Sequence, residues 1–425
     1  MLEKFKLHNF SKSLLGASSI YILGNIVEAL LTFALLPILT NNLTKVEYGI
    51  LSIYLVLAKF FIPVIHFNTQ VKISVDYYRE GVPVLKTKIG SLFLIPLINS
   101  LITVLVLFVF RGILSEKLEI DVFYLLSIPV FVLLQYFPLV VLSINQSEKK
   151  PTSYAIFKIC NTGINFLIAI FLIVIIKMGW FGQILGYGVG FFLFSSIAIF
   201  LLFKKGFLEF STSWKDVLDG YKYGAPLLFY TLSGIAMSMG DRLVLKHLRG
   251  YEEVALYTVA YQIGTVIIIL STGITKSLAP DTFEKLSKNS FSIVSKVKRN
   301  IYYLMGGLAL ISFFYLLLIK PVFKVFIDVS YSEALVYIPV LSIGLLFQGF
   351  YMLKSNILFY FKKNNYLGTL AFICAIINVL LNFLLIPKYG IMGACYSTLF
   401  TYFCMWTVTW WIAWKQMNLN VLESK

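Results

Sequence analysis

The stretch Lys177-Met-Gly-Trp-Phe-Gly182 returns in the second half of the chain as Lys388-Tyr-Gly-Ile-Met-Gly393. Each copy separates two apolar runs of about twenty residues, the length that carries a helix across about 30 Å of hydrocarbon at about 1.5 Å per residue. A lysine pair stands before the helix that leads into each copy, Lys149-Lys150 in one half and Lys362-Lys363 in the other. Glu47-Tyr-Gly-Ile-Leu-Ser-Ile-Tyr54 likewise echoes Glu253-Val-Ala-Leu-Tyr-Thr-Val-Ala260. The match is weak residue by residue, but its spacing is consistent.

Composition agrees with a membrane setting. The 425 residues are 59% apolar and 13% charged, with a mean hydropathy of +0.85, where soluble domains carry about 25% charged residues. The pattern predicts twelve helices, near 13–40, 49–67, 89–110, 121–144, 153–176, 179–203, 223–247, 253–280, 300–319, 334–361, 366–386 and 390–414. Six helices per half is an even number, so both halves run in the same sense across the bilayer. The expected fold is an all-α integral membrane protein: two six-helix lobes, 1–203 and 223–425, joined by a cytoplasmic linker at 204–222, around a central cationic cavity.

Lys and Arg set the orientation. With the N-terminus inside, 22 of the 36 fall in interior segments and 8 in exterior loops. Both termini are therefore expected on the cytoplasmic side, with the first span uncleaved. The net charge of +16 then reflects loop topology and attraction to anionic lipid, and not a nucleic-acid partner. Trp406, Trp410, Trp411 and Trp414 fit an aromatic belt at the cytoplasmic interface better than a cofactor-stacking platform. Cys160, Cys374, Cys395 and Cys404 lie in apolar stretches, which predicts small core residues and not a disulfide framework. His8, His66 and His247 have no ligand-type neighbours at metal spacing, and no phosphate-cradling glycine loop occurs.

Six cations remain, all inside predicted spans: Lys59, Lys158, Arg242, Lys246, Lys276 and Lys354. A charge at the centre of a membrane helix costs about 2.5–3.5 kcal/mol on translocon scales. Lys246 and Lys276 are close enough to an interface to snorkel. Lys158 and Lys354, within about two turns of cytoplasmic helix ends, divide between snorkelling and lining a cavity mouth. Lys59 and Arg242 lie deeper and require a polar cavity or a buried partner.

Acids offer the competing explanation. Glu28 is placed to pair with Lys59 on the next helix, and Asn25, Glu28 and Thr32 form a polar stripe on one face, suited also to Na⁺ or H⁺ coupling. Asp241 adjoins Arg242, so their side chains are expected to diverge by about 100°, leaving Asp241 to brace a neighbouring helix or share in coupling.

Several stretches resemble a known family. Tyr21-Ile-Leu-Gly-Asn25, Leu36-Pro-Ile-Leu-Thr40 and Glu47-Tyr-Gly49 are similar to the opening of bacterial polysaccharide flippases. Tyr223-Gly-Ala-Pro226, Asp241-Arg242, Leu256-Tyr-Thr-Val-Ala-Tyr261 and Pro280 are similar to the start of that family's second half. The resemblance is to Wzx-type O-antigen or capsular repeat-unit transporters, a branch of the superfamily that includes MATE exporters and the lipid II flippase MurJ.

It implies a bacterial inner-membrane flippase, not an enzyme. Such a protein moves an undecaprenyl-diphosphate-linked glycan from the cytoplasmic to the outer leaflet by alternating access, beside membrane lipids, a polysaccharide polymerase and other glycan assembly proteins. No cofactor is expected beyond a coupling ion. Arg242, in the Asp-Arg motif, and Lys59 would hold the diphosphate, with Lys158 and Lys354 recruiting it at the cytoplasmic mouth. Glu28, Asp241 and Asn25 are the coupling candidates, although Glu28 stands where many relatives would carry an uncharged residue. A MATE-like drug exporter is the main rival, but cationic drugs call for buried acids. A glycan polymerase or ligase would need a larger exterior loop than residues 111–120 or 320–333 provide.

Overall fold

The computed structural model describes residues 20, 24, 27–208, 213–287 and 291–423, and among these it contains helices and turns with no strand. The N-terminal helices are α1 (Val27–Asn42), α2 (Lys45–His66), α3 (Thr69–Arg79), α4 (Val82–Val109), α5 (Arg111–Leu118), α6 (Val122–Ser147), α7 (Pro151–Ile170) and α8 (Trp180–Lys204). They are followed by α9 (Trp214–Arg249), α10 (Tyr251–Ser287), α11 (Phe291–Phe326), α12 (Ala334–Tyr360), α13 (Asn364–Tyr389) and α14 (Ile391–Glu423). Among the described residues, ten helices are long and apolar enough to cross a membrane. The protein is an all-α membrane protein with about twelve spans. The remaining two expected spans correspond to α1, described from Val27, and α9, whose apolar run is broken by Asp241, Arg242 and Lys246.

Two short helices and several helix extensions were not anticipated. Thr69–Arg79 was expected as loop but forms amphipathic α3, with Thr69, Lys72, Ile73 and Asp76 buried. Burial works against the Lys72 ammonium, but its bonds to Asp219 (2.6 Å) and Asp76 (3.0 Å) outweigh that and hold it above its usual value. The helix α10 runs for 37 residues and α11 for 36, because polar residues continue the backbone ladder after the apolar run ends.

Contacts divide the chain into two compact units, one drawn from residues up to 43 and 54–232, the other from 44–53 and 233 onward. The N-terminal unit's core joins Ile89, Leu92, Tyr136, Val140, Phe194 and Val217. That of the C-terminal unit joins Val297, Ile301, Leu353, Ile357, Ala413 and Met417.

The repeated motifs adopt the same backbone in each unit. Lys149 and Lys362 both have φ of 55°. The next amide reaches back five residues in both cases, Lys150 N–H to Asn145 O and Lys363 N–H to Leu358 O, each at 2.9 Å. That is a Schellman helix ending. Gly179 (φ 60°, ψ −148°) and Gly390 (φ 56°, ψ −137°) then make the turn at the far end of the helices that follow, α7 and α13. This conformation is essentially open only to glycine.

Small residues let the following helices pack closely. Gly182, Gly186 and Gly190 on α8 lie four apart against Ile173, Ala169 and Asn165, the small-xxx-small spacing of close membrane helix pairs. A Cβ on Gly186 would stand 2.6 Å from the Ala169 backbone, whereas one on Gly188 would meet nothing within 4 Å. Gly186→Val is therefore expected to cost about 1–3 kcal/mol by overpacking and Gly188→Ala almost nothing. Thermal unfolding of both variants in the same detergent checks this, and equal midpoints would contradict the tight α7–α8 contact.

Candidate functional site

The N-terminal unit contains a cavity of about 330 Å³ whose wall includes residues from α1, α3, α6, α7 and α8. Its polar lining is rich in amides: Gln70, Gln135, Gln146, Asn161 and Asn165. Tyr154 and Tyr187 add rings, and Glu28 and Lys158 are the charged residues of the wall. The Gln70 Oε1 and Asn165 Oδ1 atoms are buried without a hydrogen-bond partner. Asn165 fits because Gly190 opposite it has no side chain, and its amide donates to Asn161 Oδ1 at 3.3 Å. Unmatched acceptors beside neutral donors and aromatic faces suit a polyhydroxylated ligand.

Glu28 bridges to Lys158 at 2.8 Å, and not to Lys59. The reason is the packing of α1 on α7. A Cβ at Gly24 would meet Ala155 at 3.5 Å, and one turn further along each helix brings the Glu28 carboxylate level with the Lys158 ammonium. Lys59 is exposed in α2. Asn25 lies outside the described residues.

In the C-terminal unit, Asp241 and Arg242 pair with one another, which the angle of about 100° between adjacent helix positions had left open. Arg242 is 4% exposed and Asp241 fully buried. The guanidinium curls back to Asp241 Oδ1 (3.3 Å) and Ser238 O (3.0 Å), and its Nε–H donates to Thr258 Oγ1 (3.3 Å). The Tyr261 ring lies 4.6 Å from it, and the Tyr257 hydroxyl donates to the other Asp241 oxygen. A 100° divergence at Cα is overcome because the long Arg side chain bends and both backbones are fixed by helix.

The outer cations divide. Lys246 is buried under the Tyr251 ring at 5.0 Å, which departs from the snorkelling expected of it, while Lys276 is exposed, as a snorkelling side chain would be. Lys354 is fully buried and so does not open onto a mouth. Its ammonium has no hydrogen-bond partner and sits among rings: Trp410 at 3.9 Å, Trp414 at 5.0 Å, Trp406 at 5.5 Å and Tyr302 at 5.6 Å. Three of the four tryptophans assigned to a belt therefore face this lysine, and Trp411, 65% exposed, keeps an outward position. The amide cluster was missed because only charges were counted. Asn161 and Asn165, four apart within a predicted span, were its signal.

The sequence profile of the polysaccharide biosynthesis protein family matches residues 14–284. The chain belongs to this family. A second profile, MatE, matches residues 226–384. An uncharacterised membrane protein of Methanocaldococcus jannaschii is 28% identical over 245 residues, 53% of this chain but only 46% of that relative's own length. A protein of the Lsg locus of Haemophilus influenzae is 24% identical over 389 residues, 85% of this chain and 88% of the relative. Among solved structures, an inward-facing multidrug resistance MATE family transporter gives a TM-score of 0.69 at 15% identity, covering 96% of this chain and 95% of that one. An outward-facing one gives 0.61 at 16% identity, covering 96% of both. This polysaccharide biosynthesis family member thus has the MATE fold, and family and fold together are those of a membrane transporter or flippase and not of a catalytic enzyme.

Two stability predictions follow from the buried cations. Removing one partner of a buried pair leaves the other uncompensated, at about 3–5 kcal/mol. Asp241→Ala is expected to lower stability by that amount, and Asp241→Ala/Arg242→Leu by less than the single change. Unfolding of the three proteins in detergent checks the order. A desolvated cation–π contact is worth about 2 kcal/mol, so a double-mutant cycle between Lys354→Met and Trp410→Leu should give a coupling energy near that value. Coupling near zero would show that the rings pack on the stem and not on the charge.

Proposed function

We propose that this transporter is a flippase for a lipid-linked oligosaccharide. It would carry a polyprenyl-diphosphate-linked repeat unit of O-antigen or capsular type from the cytoplasmic to the outer leaflet of a bacterial inner membrane by alternating access. Both termini would be cytoplasmic. The observation that carries the reading is the amide- and tyrosine-lined cavity of the N-terminal unit, in a chain of the polysaccharide biosynthesis family. Neutral sugars offer many hydroxyls and little charge, which amides and ring faces match and an acidic drug-binding pocket would not.

Within this reading Lys158 contacts the diphosphate, and Glu28 is the coupling residue. With Glu28 ionised, its 2.8 Å bridge occupies the Lys158 ammonium. A proton or sodium ion arriving at Glu28 neutralises the carboxylate and releases that ammonium to the phosphate oxygens. Lys59, exposed in α2, is a second contact for the headgroup. Arg242, expected to hold the diphosphate, and Lys354, expected to recruit it at the cytoplasmic mouth, are enclosed by their own partners and in this reading hold structure. Asp241, already bonded to Arg242 and Tyr257, braces the same cluster.

The test is a reconstituted assay in which a fluorescent lipid-linked oligosaccharide becomes accessible at the far leaflet. Lys158→Ala is expected to slow transfer about tenfold, the equivalent of losing about 1.4 kcal/mol. Glu28→Gln should keep substrate binding but lose the response to an imposed ion gradient. Normal transfer by both variants would overturn the assignment. The MatE match and fold favour drug export as the second reading. Efflux of a cationic dye without glycan transfer would establish that reading instead.

A further inference from the structure

A second concavity of the N-terminal unit, separate from the cavity above, is a groove of about 530 Å³ among α6, α7 and α8. Its wall is apolar along most of its course, with Val141, Ile156, Phe157, Phe194, Ile197 and Leu201 among its residues. Its polar residues, Asn145, Lys150, Ser153 and Lys205, gather where α6 ends, α7 begins and α8 ends. Ile156 is 59% and Ile197 44% exposed, so the groove opens outward along its side.

The charge at that end is unbalanced. Glu148 accepts from Lys150 at 2.8 Å and from Lys205 at 2.9 Å. Burial pushes the Glu148 carboxyl up, but the two ammonium groups outweigh it and hold it below its usual value. One carboxylate between two lysines leaves one net positive charge, and Lys149 and Lys204, both exposed, adjoin the same end. Glu148 thus aligns the two ammonium groups and cancels only one of their two charges.

Depth identifies what such a groove takes. From Lys150 to Cys160 on α7 is ten residues, about 15 Å of helix, and from Lys205 back to Phe194 on α8 is of similar length. The hydrocarbon of one leaflet is also about 15 Å deep, half of about 30 Å. Charge at the interface end and apolar wall to the midplane match an amphiphile confined to one leaflet. A polyprenyl chain is too long to end at that depth.

We propose that this groove is a binding site for an anionic glycerophospholipid, with the phosphate on Lys150 and Lys205 and one acyl chain along α7 and α8. The site is independent of the flippase reading and does not require it.

Cys160 gives a native reporter, since it lines the groove and is the exposed member of the four cysteines, the others being buried or partly so. The experiment uses the full-length protein reconstituted in phosphatidylglycerol or phosphatidylcholine vesicles. It reads both Cys160 alkylation by a membrane-permeant maleimide and the lipid retained in native mass spectrometry. Phosphatidylglycerol is expected to slow alkylation and to be retained about tenfold over phosphatidylcholine, the scale set by two interfacial lysines. Lys150→Gln/Lys205→Gln should abolish both effects. So should Ile197→Trp, which fills the groove and leaves the lysines in place. Lys362→Gln/Lys363→Gln, at the matching turn of the C-terminal unit, should change neither.

Equal retention of the two lipids by the unmodified protein overturns the site. Loss of preference in the Lys362/Lys363 variant equal to that in the Lys150/Lys205 variant also overturns it, by showing diffuse surface charge. Displacement of phosphatidylglycerol by a lower concentration of polyprenyl phosphate would assign the groove to that lipid and overturn the phospholipid reading.

Discussion

Hydrocarbon cannot solvate a charge, so an ionised side chain within a span that does not reach an interface needs compensation from the protein itself. The described residues show three solutions. Glu28 and Lys158 neutralise one another at a cavity wall. Asp241 and Arg242 form a closed group with Tyr257, Thr258 and the Ser238 carbonyl. Lys354 has rings in place of an anion. The first solution leaves the pair in the wall of a cavity.

Sequence periodicity made the spans legible, because length and apolarity are set by bilayer thickness and survive without any partner. The two repeated turns were legible for a related reason: a left-handed glycine and a helix-ending lysine are local devices. Pairings across helices were not legible. Whether Glu28 meets Lys59 or Lys158 depends on the register of α1 against α7, which no one-dimensional pattern encodes. Lys354 shows the same limit. Its position near a helix end suggested a route to water, but Trp406, Trp410 and Trp414 on α14 close over it. Helix ends were also misjudged wherever polar residues prolonged the helix past the apolar run, as in α10 and α11.

The glycines of α8 connect packing to chemistry. Gly182 and Gly186 bring α8 against α7, and Gly190 leaves the room that the Asn165 side chain takes. Without that opening the amide would be forced out of the wall, and the row Asn161–Asn165 would lose its inner member. The same small-residue stripe thus builds a helix contact at one end and a polar surface at the other.

Lys149 and Lys362 hold a left-handed conformation that glycine or asparagine would adopt more easily. A lysine at this point does two jobs with one residue. It ends the helix by its backbone and marks the membrane boundary by its charge, so neither can move without the other. Sliding the helix through the bilayer by a turn would carry the ammonium about 5 Å into hydrocarbon or away from the headgroups. The turn therefore acts as a depth gauge, fixing how far each of these hairpins sits across the bilayer.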